Sequence, residues 1–130
     1  MNSILASYKI SLGTLNALTH DIAEVIADEG IEIDLDMVHE YHQCLKQHFT
    51  SPCSVLVNKK NTYTYTFDAQ LTIGTSEQIK SLAIVTYNHA TEITAKNLAN
   101  FPRTKSWDTQ FFTDRQSAID WLIQRQSQAD

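Results

Sequence analysis

The sequence predicts a single α/β domain spanning residues 1–130, with a mixed, mostly parallel sheet, an N-terminal β-hairpin and three main helices. A length of 130 residues is typical of one domain, and no linker, repeat or low-complexity tract divides the chain. Apolar runs of strand length alternate with segments in which apolar residues recur every three or four positions. A helix between two successive strands forms a right-handed crossover, and a crossover makes the two strands parallel. The alternation of strand and helix patterns therefore favours a parallel sheet.

The first predicted elements are two strands and a helix. Residues 8–18 alternate weakly up to an interruption at Gly13, residues 21–28 are apolar enough for a strand, and the turn-forming "THD" lies between them. We therefore expect an antiparallel pair. Residues 34–49 then show helical spacing, and Asp34 suits the N-cap position. The expected buried stripe of this helix consists of Val38, Tyr41, Leu45 and Phe49.

We expect two strands, buried on both faces, at the centre of the sheet. They cover residues 53–58 and residues 79–88, and both are continuous apolar runs of the kind found in parallel sheets. Between them, residues 69–75 fit a single helical turn that stops at Gly74. A last short strand is expected over residues 107–112.

Two further helices are predicted in the second half of the chain. Residues 89–101 show helical spacing, and Pro102 ends that helix. Its expected apolar arc consists of Ala90, Ile93, Leu98 and Phe101. Residues 113–126 begin with a T-x-x-Q capping box formed by Thr113 and Gln116. The buried residues expected in this last helix are Ala118, Ile119, Trp121 and Leu122.

The stretch "NTYTYTFDA", residues 61–69, has two interpretations. As a strand it would place Tyr63, Tyr65 and Phe67 on one face and the threonines on the other. Its position after a buried strand favours a loop, because ligand and regulatory loops follow the carboxyl ends of strands in open α/β sheets. We therefore expect residues 58–69 to form an extended loop over the top of the sheet, with a short edge strand.

Charge is distributed unevenly along the chain. The formal net charge of the chain is -5, and every charged residue between positions 21 and 40 is acidic. An acidic half repels nucleic acid, and no basic stripe with interleaved aromatics occurs in the sequence. Two interpretations of the acids stay open, namely a solvated surface and a face for a basic partner. The acids are Asp21, Glu24, Asp28, Glu29, Glu32, Asp34, Asp36 and Glu40.

Composition and motifs exclude several further classes. No apolar run approaches the ~20 residues of a membrane span, and residues 1–9 lack the features of a signal peptide. Cys44 and Cys53 have no CxxC spacing, so we expect two free thiols in a reduced, cytoplasmic protein. His39 and His42 are three residues apart, whereas the zincin pattern requires a separation of four. With no phosphate-binding glycine motif and no GxSxG elbow either, we predict no catalytic residue, metal or cofactor.

Beyond these patterns, the chain resembles the small SpoIIAA-like proteins of the STAS group, whose fold is related to that of Sec14-type domains. The likeness extends from about residue 8 to residue 125. The segments that carry it are "LGTLNALTHDIAEVIADEG", "SVLVNKKNTYTYTFDAQ", "IKSLAIVTYN" and "FFTDRQSAIDWL". The resemblance implies a bacterial regulatory protein.

In STAS domains of the anti-sigma antagonist class, a phosphorylatable Ser or Thr follows the central strand. The equivalent place here contains Thr62, Thr64 and Thr66, without the Asp-Ser-Ser-Gly-like sequence of the antagonists.

We therefore expect a non-enzymatic regulatory or protein-interaction domain that presents the 58–69 loop to an unidentified protein partner. The alternative is a binder of a small apolar or lipid-like ligand, held in a pocket beneath that loop. A homodimer is the commonest small assembly and also stays open. The predicted binding or regulatory residues are Asn58, Lys59, Lys60, Thr62, Tyr63, Thr64, Tyr65 and Thr66.

Overall fold

A computed structural model describes residues 4–87 and 108–127 of the chain. Its strands are β1 (Ala6–Ile10), β2 (Gly13–Thr19), β3 (Ile22–Ala27), β4 (Glu32–Ile33), β5 (Cys53–Lys59), β6 (Thr64–Tyr65), β7 (Ile79–Thr86) and β8 (Asp108–Phe112). Its helices are α1 (Leu35–His48), α2 (Phe67–Thr72) and α3 (Arg115–Ser127). None of these helices is long and apolar enough to cross a membrane.

Six strands form the main sheet, in the order β1-β2-β3-β5-β7-β8. The pairs β1–β2 and β2–β3 are antiparallel, whereas β3–β5, β5–β7 and β7–β8 are parallel. The predicted mixed, mostly parallel sheet is therefore confirmed. Both faces of β5 and β7 are covered, because α1 and α2 pack on one side of the sheet and α3 on the other, and this agrees with the continuous apolar sequences of the two strands.

The N-terminal region contains one more strand than predicted. Residues 8–18 were expected to form one strand, but they belong to β1 and β2, which are joined by a turn after Ile10. Gly13 opens β2 with a φ of 156°, and a Cβ at this position would meet the Ile26 carbonyl oxygen at 2.1 Å. Only glycine allows the two backbones to approach so closely. The predicted pair is confirmed as β2 and β3, and β1 extends it into a three-stranded meander.

Helix α1 follows the predicted pattern. The Asp34 side chain accepts a hydrogen bond from the Met37 N–H at 3.0 Å, which confirms Asp34 as the N-cap. All four residues of the predicted stripe are buried, namely Val38, Tyr41, Leu45 and Phe49.

Two hydrophobic clusters lie on opposite faces of the sheet. On the first face, α1 and α2 cover a cluster that contains Val55 of β5. On the second face, α3 covers a cluster that contains Leu56, the next residue along β5. Because successive strand residues point to opposite faces, one apolar strand supplies both clusters. The second cluster consists of Leu18, Ile22, Leu56, Ala83, Val85, Ala118, Ile119 and Leu122.

The start of α3 and its buried face differ in detail from the predictions. The Asp114 carboxylate accepts a hydrogen bond from the Ser117 N–H at 2.8 Å, so the helix is capped at Asp114 and not at Thr113. Trp121 is only partly buried and its ring lies 5.7 Å from that of Phe112, whereas the other three predicted residues are fully covered. The predicted helix over 89–101, together with Pro102 and Trp107, lies outside the described residues.

We predict that Leu122→Ala lowers the free energy of unfolding by about 3 kcal/mol, because it removes a fully buried side chain and leaves a cavity. Ile123→Ala is the matched control, since this adjacent residue is exposed. Urea denaturation followed by circular dichroism measures both values. Similar losses in the two variants would contradict the packing of α3 described above.

Candidate functional site

The 58–69 segment starts at the carboxyl end of β5 and runs beside residues 30–33. The pairing of β6 with β4 is parallel and places Thr64 opposite Glu32. The further backbone hydrogen bonds that join the two segments run from Gly30 N–H to Thr62 O (2.6 Å), from Thr64 N–H to Ile31 O (3.0 Å) and from Thr66 N–H to Ile33 O (2.9 Å). The segment is therefore held in place by a regular backbone ladder.

The connection itself is shorter than the predicted loop. Lys59 still belongs to β5 and α2 begins at Phe67, which leaves residues 60–66. The Thr66 hydroxyl accepts a hydrogen bond from the Ala69 N–H at 3.2 Å and caps α2. The short strand expected within the segment exists as β6, but it pairs with β4 and not with the main sheet.

The predicted residues divide into an inner and an outer group. Lys59, Tyr63 and Tyr65 form the inner group. The Lys59 ammonium donates a hydrogen bond to the Tyr63 hydroxyl at 2.8 Å, and its nitrogen lies 4.3 Å from the centre of the Tyr63 ring. Both tyrosine rings pack against the first hydrophobic cluster.

Burial shifts the pKa values of the three side chains in the inner group. Lys59 is 9% exposed, and burial lowers its pKa to about 8. Burial likewise raises the pKa of Tyr65 to about 12 and that of Tyr63 well above its usual value. The ammonium of Lys59 faces a hydroxyl and aromatic rings, which compensate for its lost hydration only in part.

Asn58 points to the opposite face of the sheet from Lys59, where it meets a buried carboxylate. Its amide nitrogen donates to Glu24 at 2.9 Å, and its amide oxygen accepts from the Tyr87 hydroxyl at 2.8 Å. Glu24 is 1% exposed and also accepts two hydrogen bonds from the Arg115 guanidinium, at 2.7 and 2.9 Å. A fourth bond, from the Asn16 amide, measures 3.2 Å.

This network determines the charge state of Glu24. Burial raises the pKa of the carboxyl, but the hydrogen bonds from Arg115, Asn58 and Asn16 outweigh that effect and hold the pKa below its usual value. Glu24 is therefore ionised at neutral pH and fully paired. Such a pair fixes the start of α3 relative to β3 and β5.

The sequence analysis placed Glu24 among eight acids that form either a solvated surface or a face for a basic partner. Because Glu24 is buried, neither interpretation is correct for this residue. The signal that identifies it is local: Glu24 lies between apolar residues in a strand whose neighbours are buried. Its partner could not be found in the same way, because Arg115 is 91 residues away along the chain. Arg115 and Tyr87 were consequently absent from the predicted site.

The outer group of the segment is accessible. Lys60, Thr62 and Thr64 are exposed, and Thr66 is partly buried. The Thr62 N–H donates to the Glu29 carboxylate at 3.0 Å, which brings an exposed acid directly against the segment. We name the neighbouring exposed acids the acidic edge, which consists of Asp28, Glu29, Glu32, Asp34 and Asp36.

The histidines of α1 and the two cysteines, Cys44 of α1 and Cys53 of β5, do not form a shared site among the described residues. His39 is exposed and His42 is partly buried. Cys44 and Cys53 are buried free thiols, and burial raises the pKa of both. Among residues 4–87 and 108–127, no three His, Cys, Asp or Glu side chains are arranged to hold a metal ion.

In three dimensions the chain is similar to an uncharacterised protein from Shewanella loihica PV-4, described as a DUF3478-family protein with a SpoIIAA-like fold. The TM-score is 0.51 at 17% sequence identity, and the match covers 92% of each chain. This likeness confirms the predicted SpoIIAA-like fold and, at so low an identity, shows the fold alone. No protein-family model and no curated protein matches the sequence.

We predict that Arg115→Met lowers the free energy of unfolding by about 3 kcal/mol at pH 7, because it leaves the Glu24 carboxylate buried with a reduced set of partners. The stabilisation that comes from the lowered pKa of Glu24 is fully present above the unfolded value of 4.5 and is lost as the pH falls through the lower folded pKa. The difference in free energy of unfolding from wild type should therefore narrow across that acidic range. Lys9→Met is the control, as it breaks an exposed ion pair with Asp28 and should cost less than ~1 kcal/mol. Equal losses would contradict the role given to Arg115.

We predict that Lys59→Met raises the free energy of unfolding by about 2 kcal/mol at pH 7, because it removes a buried charge. The pKa of Lys59 falls from 10.5 to about 8 on folding, so the penalty is present below pH 8 and is lost as the pH rises to 10.5. The advantage of the variant should therefore disappear across that window. Urea titrations at several pH values measure the difference in free energy of unfolding between Lys59→Met and wild type. Lys60→Met, at an exposed position, is the control. An advantage that does not change with pH would contradict this account.

Proposed function

We propose that the protein is a non-enzymatic regulatory or interaction domain that presents residues 60–66 and the acidic edge together to a basic protein partner. The observation that carries the proposal is the pairing of β4 with β6, since it joins the two features into one surface. Residues 60–66 and the acidic edge are about 30 positions apart in sequence, yet Glu29 and Glu32 lie directly beside Thr62 and Thr64.

The side chains of this surface support protein recognition. The exposed carboxylates offer charge to lysine or arginine side chains, and the hydroxyls of Thr62 and Thr64 offer hydrogen bonds. Phe67, at the start of α2, is 67% exposed and adds an apolar contact at the end of the segment. An exposed aromatic residue rimmed by polar groups is typical of a protein contact.

The backbone ladder supports the same proposal. Backbone hydrogen bonds at Thr62, Thr64 and Thr66 already hold the segment in place, so it loses little conformational entropy on binding and its exposed side chains are pre-organised. The inner group contributes to this order, because the tyrosine rings hold the segment against the core. Lys59 is consequently unavailable to a partner, and Lys60 is the lysine of this pair that a partner can reach.

Site-specific photocrosslinking in the native cells tests the proposal. A benzophenone amino acid replaces Thr64 in one variant and the exposed Gln124 of α3 in a control variant. We expect one partner to crosslink at position 64 and not at position 124. Glu32→Lys should reduce the yield of that product at least tenfold by reversing a charge on the acidic edge, whereas Asp120→Lys on α3 should leave it unchanged.

Three outcomes would contradict the proposal. A partner that crosslinks equally at both positions would indicate nonspecific contact. A product unaffected by Glu32→Lys would remove the acidic edge from the interface. A product with twice the mass of the chain would show that the surface binds a second copy instead of a basic partner.

A further inference from the structure

The strand β1 forms one edge of the main sheet. It stands first in the strand order and, among the described strands, it pairs with β2 alone. Successive residues of a strand direct their N–H and C=O groups to alternate sides, so one set of these groups in β1 points away from β2. A row of such groups is a template on which a further strand can pair.

The space beside this edge is open. A cleft of about 490 Å³ lies between β1 and α1, and residues 7–10 line it on the strand side. Side chains of successive strand residues point to opposite faces, so a cleft that touches four residues in a row runs along the edge and not over one face. Three exposed residues of α1 form the opposite wall, namely Glu40, Gln43 and Gln47. The helix therefore borders the edge of β1 without covering it.

Apolar side chains next to this edge are exposed. Ile4 is 47% exposed and Leu5 is 68% exposed, and the two residues directly precede β1. The Leu5 N–H still donates to the Ala17 carbonyl of β2 at 2.8 Å, which keeps Leu5 at the edge of the sheet. Tyr8, in the middle of β1, is only partly buried. Exposed apolar residues along an edge strand are typical of a place where another strand adds.

The sequence of β1, "ASYKI", is complementary to itself. An antiparallel copy centred on Tyr8 pairs all five residues of the strand, whereas every shift in register leaves residues of β1 unpaired. In the centred arrangement Ala6 lies opposite Ile10 of the second copy, and Ser7 lies opposite Lys9 of the second copy. The cation of each strand therefore faces a hydroxyl and not a second lysine.

The centred arrangement also continues the faces of the existing sheet. Ala6, Tyr8 and Ile10 belong to the first hydrophobic cluster, so a second copy would extend that apolar face. The Tyr8 ring already stacks on the His48 ring, with ring centres 3.9 Å apart. A second Tyr8 at the two-fold axis would cover the part of the first ring that is still accessible. Ser7 lies on the other face, where its hydroxyl donates to the Asn16 side chain at 2.7 Å.

Charge favours this edge for contact between two copies. Each chain has a formal net charge of -5, so two copies repel each other in general. The cleft beside β1 contains one lysine and one carboxylate, Lys9 and Glu40, and its formal charge is therefore zero with histidine neutral. Glu40 is already held by the Ser11 N–H, which donates to it at 2.7 Å. Two copies can meet here without the repulsion that acts over the acidic edge.

We propose that two copies of the chain pair through β1, antiparallel and centred on Tyr8, and thereby join their two main sheets into one continuous sheet. The interface is isologous, because each copy contributes the same strand to it. It goes beyond the proposed function and does not include residues 60–66. The dimer and the basic partner are therefore tested separately, and either can fail alone.

Sedimentation equilibrium on the full chain tests whether the dimer forms. We expect a mass twice that of the 14.8 kDa chain, and dissociation on dilution. Amide hydrogen exchange then identifies the strand. The β1 amides that point away from β2 should become protected as the chain concentration rises, while the amides of β8, at the other edge of the sheet, should not change. A monomer at millimolar concentration, or new protection in β8 instead of β1, would overturn the proposal.

A charge exchange across the pair gives a second readout. Ser7→Lys places a lysine opposite Lys9 of the second copy and should weaken dimerisation at least tenfold. Combining Ser7→Lys with Lys9→Glu restores opposite charges across the pair and should restore the dimer, although it does not restore the Ser7 hydrogen bond to Asn16. Gln110→Lys is the matched control, since this exposed residue lies on β8, and it should leave dimerisation unchanged.

The double variant separates loss of pairing from loss of folding. If Ser7→Lys acted only by disturbing the fold, Lys9→Glu would not restore the dimer. Failure of that restoration, dimerisation unaffected by Ser7→Lys, or equal weakening by Gln110→Lys would each show that the pairing centred on Tyr8 is wrong.

Discussion

The ion pair between the buried carboxylate of Glu24 and the partly exposed guanidinium of Arg115 is the interaction on which the arrangement of this fold depends. A carboxylate that is 1% exposed in the middle of a sheet is tolerable only if its oxygens are fully paired. The four donor bonds come from β2, from the end of β5 and from the start of α3. Three elements that are distant in sequence are therefore held at one point, and Asn58 at that point is the residue from which the 58–69 segment departs.

The last two residues of β5, Asn58 and Lys59, make internal contacts on opposite faces of the sheet. Asn58 faces the Glu24 network, while Lys59 faces the tyrosines of its own segment. Both residues are thus used internally, and the exposed side chains that follow them are held on a paired backbone. This arrangement gives the exposed residues 60–66 a rigid base.

Much of the fold was predictable because its signals are local or periodic. The α1 stripe and its Asp34 cap were correct, since helical spacing and capping depend on residues within a few positions of each other. The predictions of β5 and β7 were also correct, because a continuous apolar run is a local feature of the sequence. Two errors are also local. Residues 8–18 were predicted as one strand although Gly13 interrupts their alternation, and the turn between β1 and β2 lies just before that glycine. Thr113 was predicted as the cap of the last helix because it begins a T-x-x-Q capping box, whereas the adjacent Asp114 accepts the capping hydrogen bond.

The candidate site was predictable only in its position along the chain. The sequence by itself determined that a polar, aromatic segment follows a buried central strand, because strand length, apolar content and turn residues are all local properties. Only the tertiary structure decided which of its side chains are buried, that β6 pairs with β4, and that Glu24 is paired with Arg115. The β4–β6 pairing and the Glu24–Arg115 pair join residues 32 and 91 positions apart, and such contacts depend on how the elements pack and leave no periodic signal in the sequence.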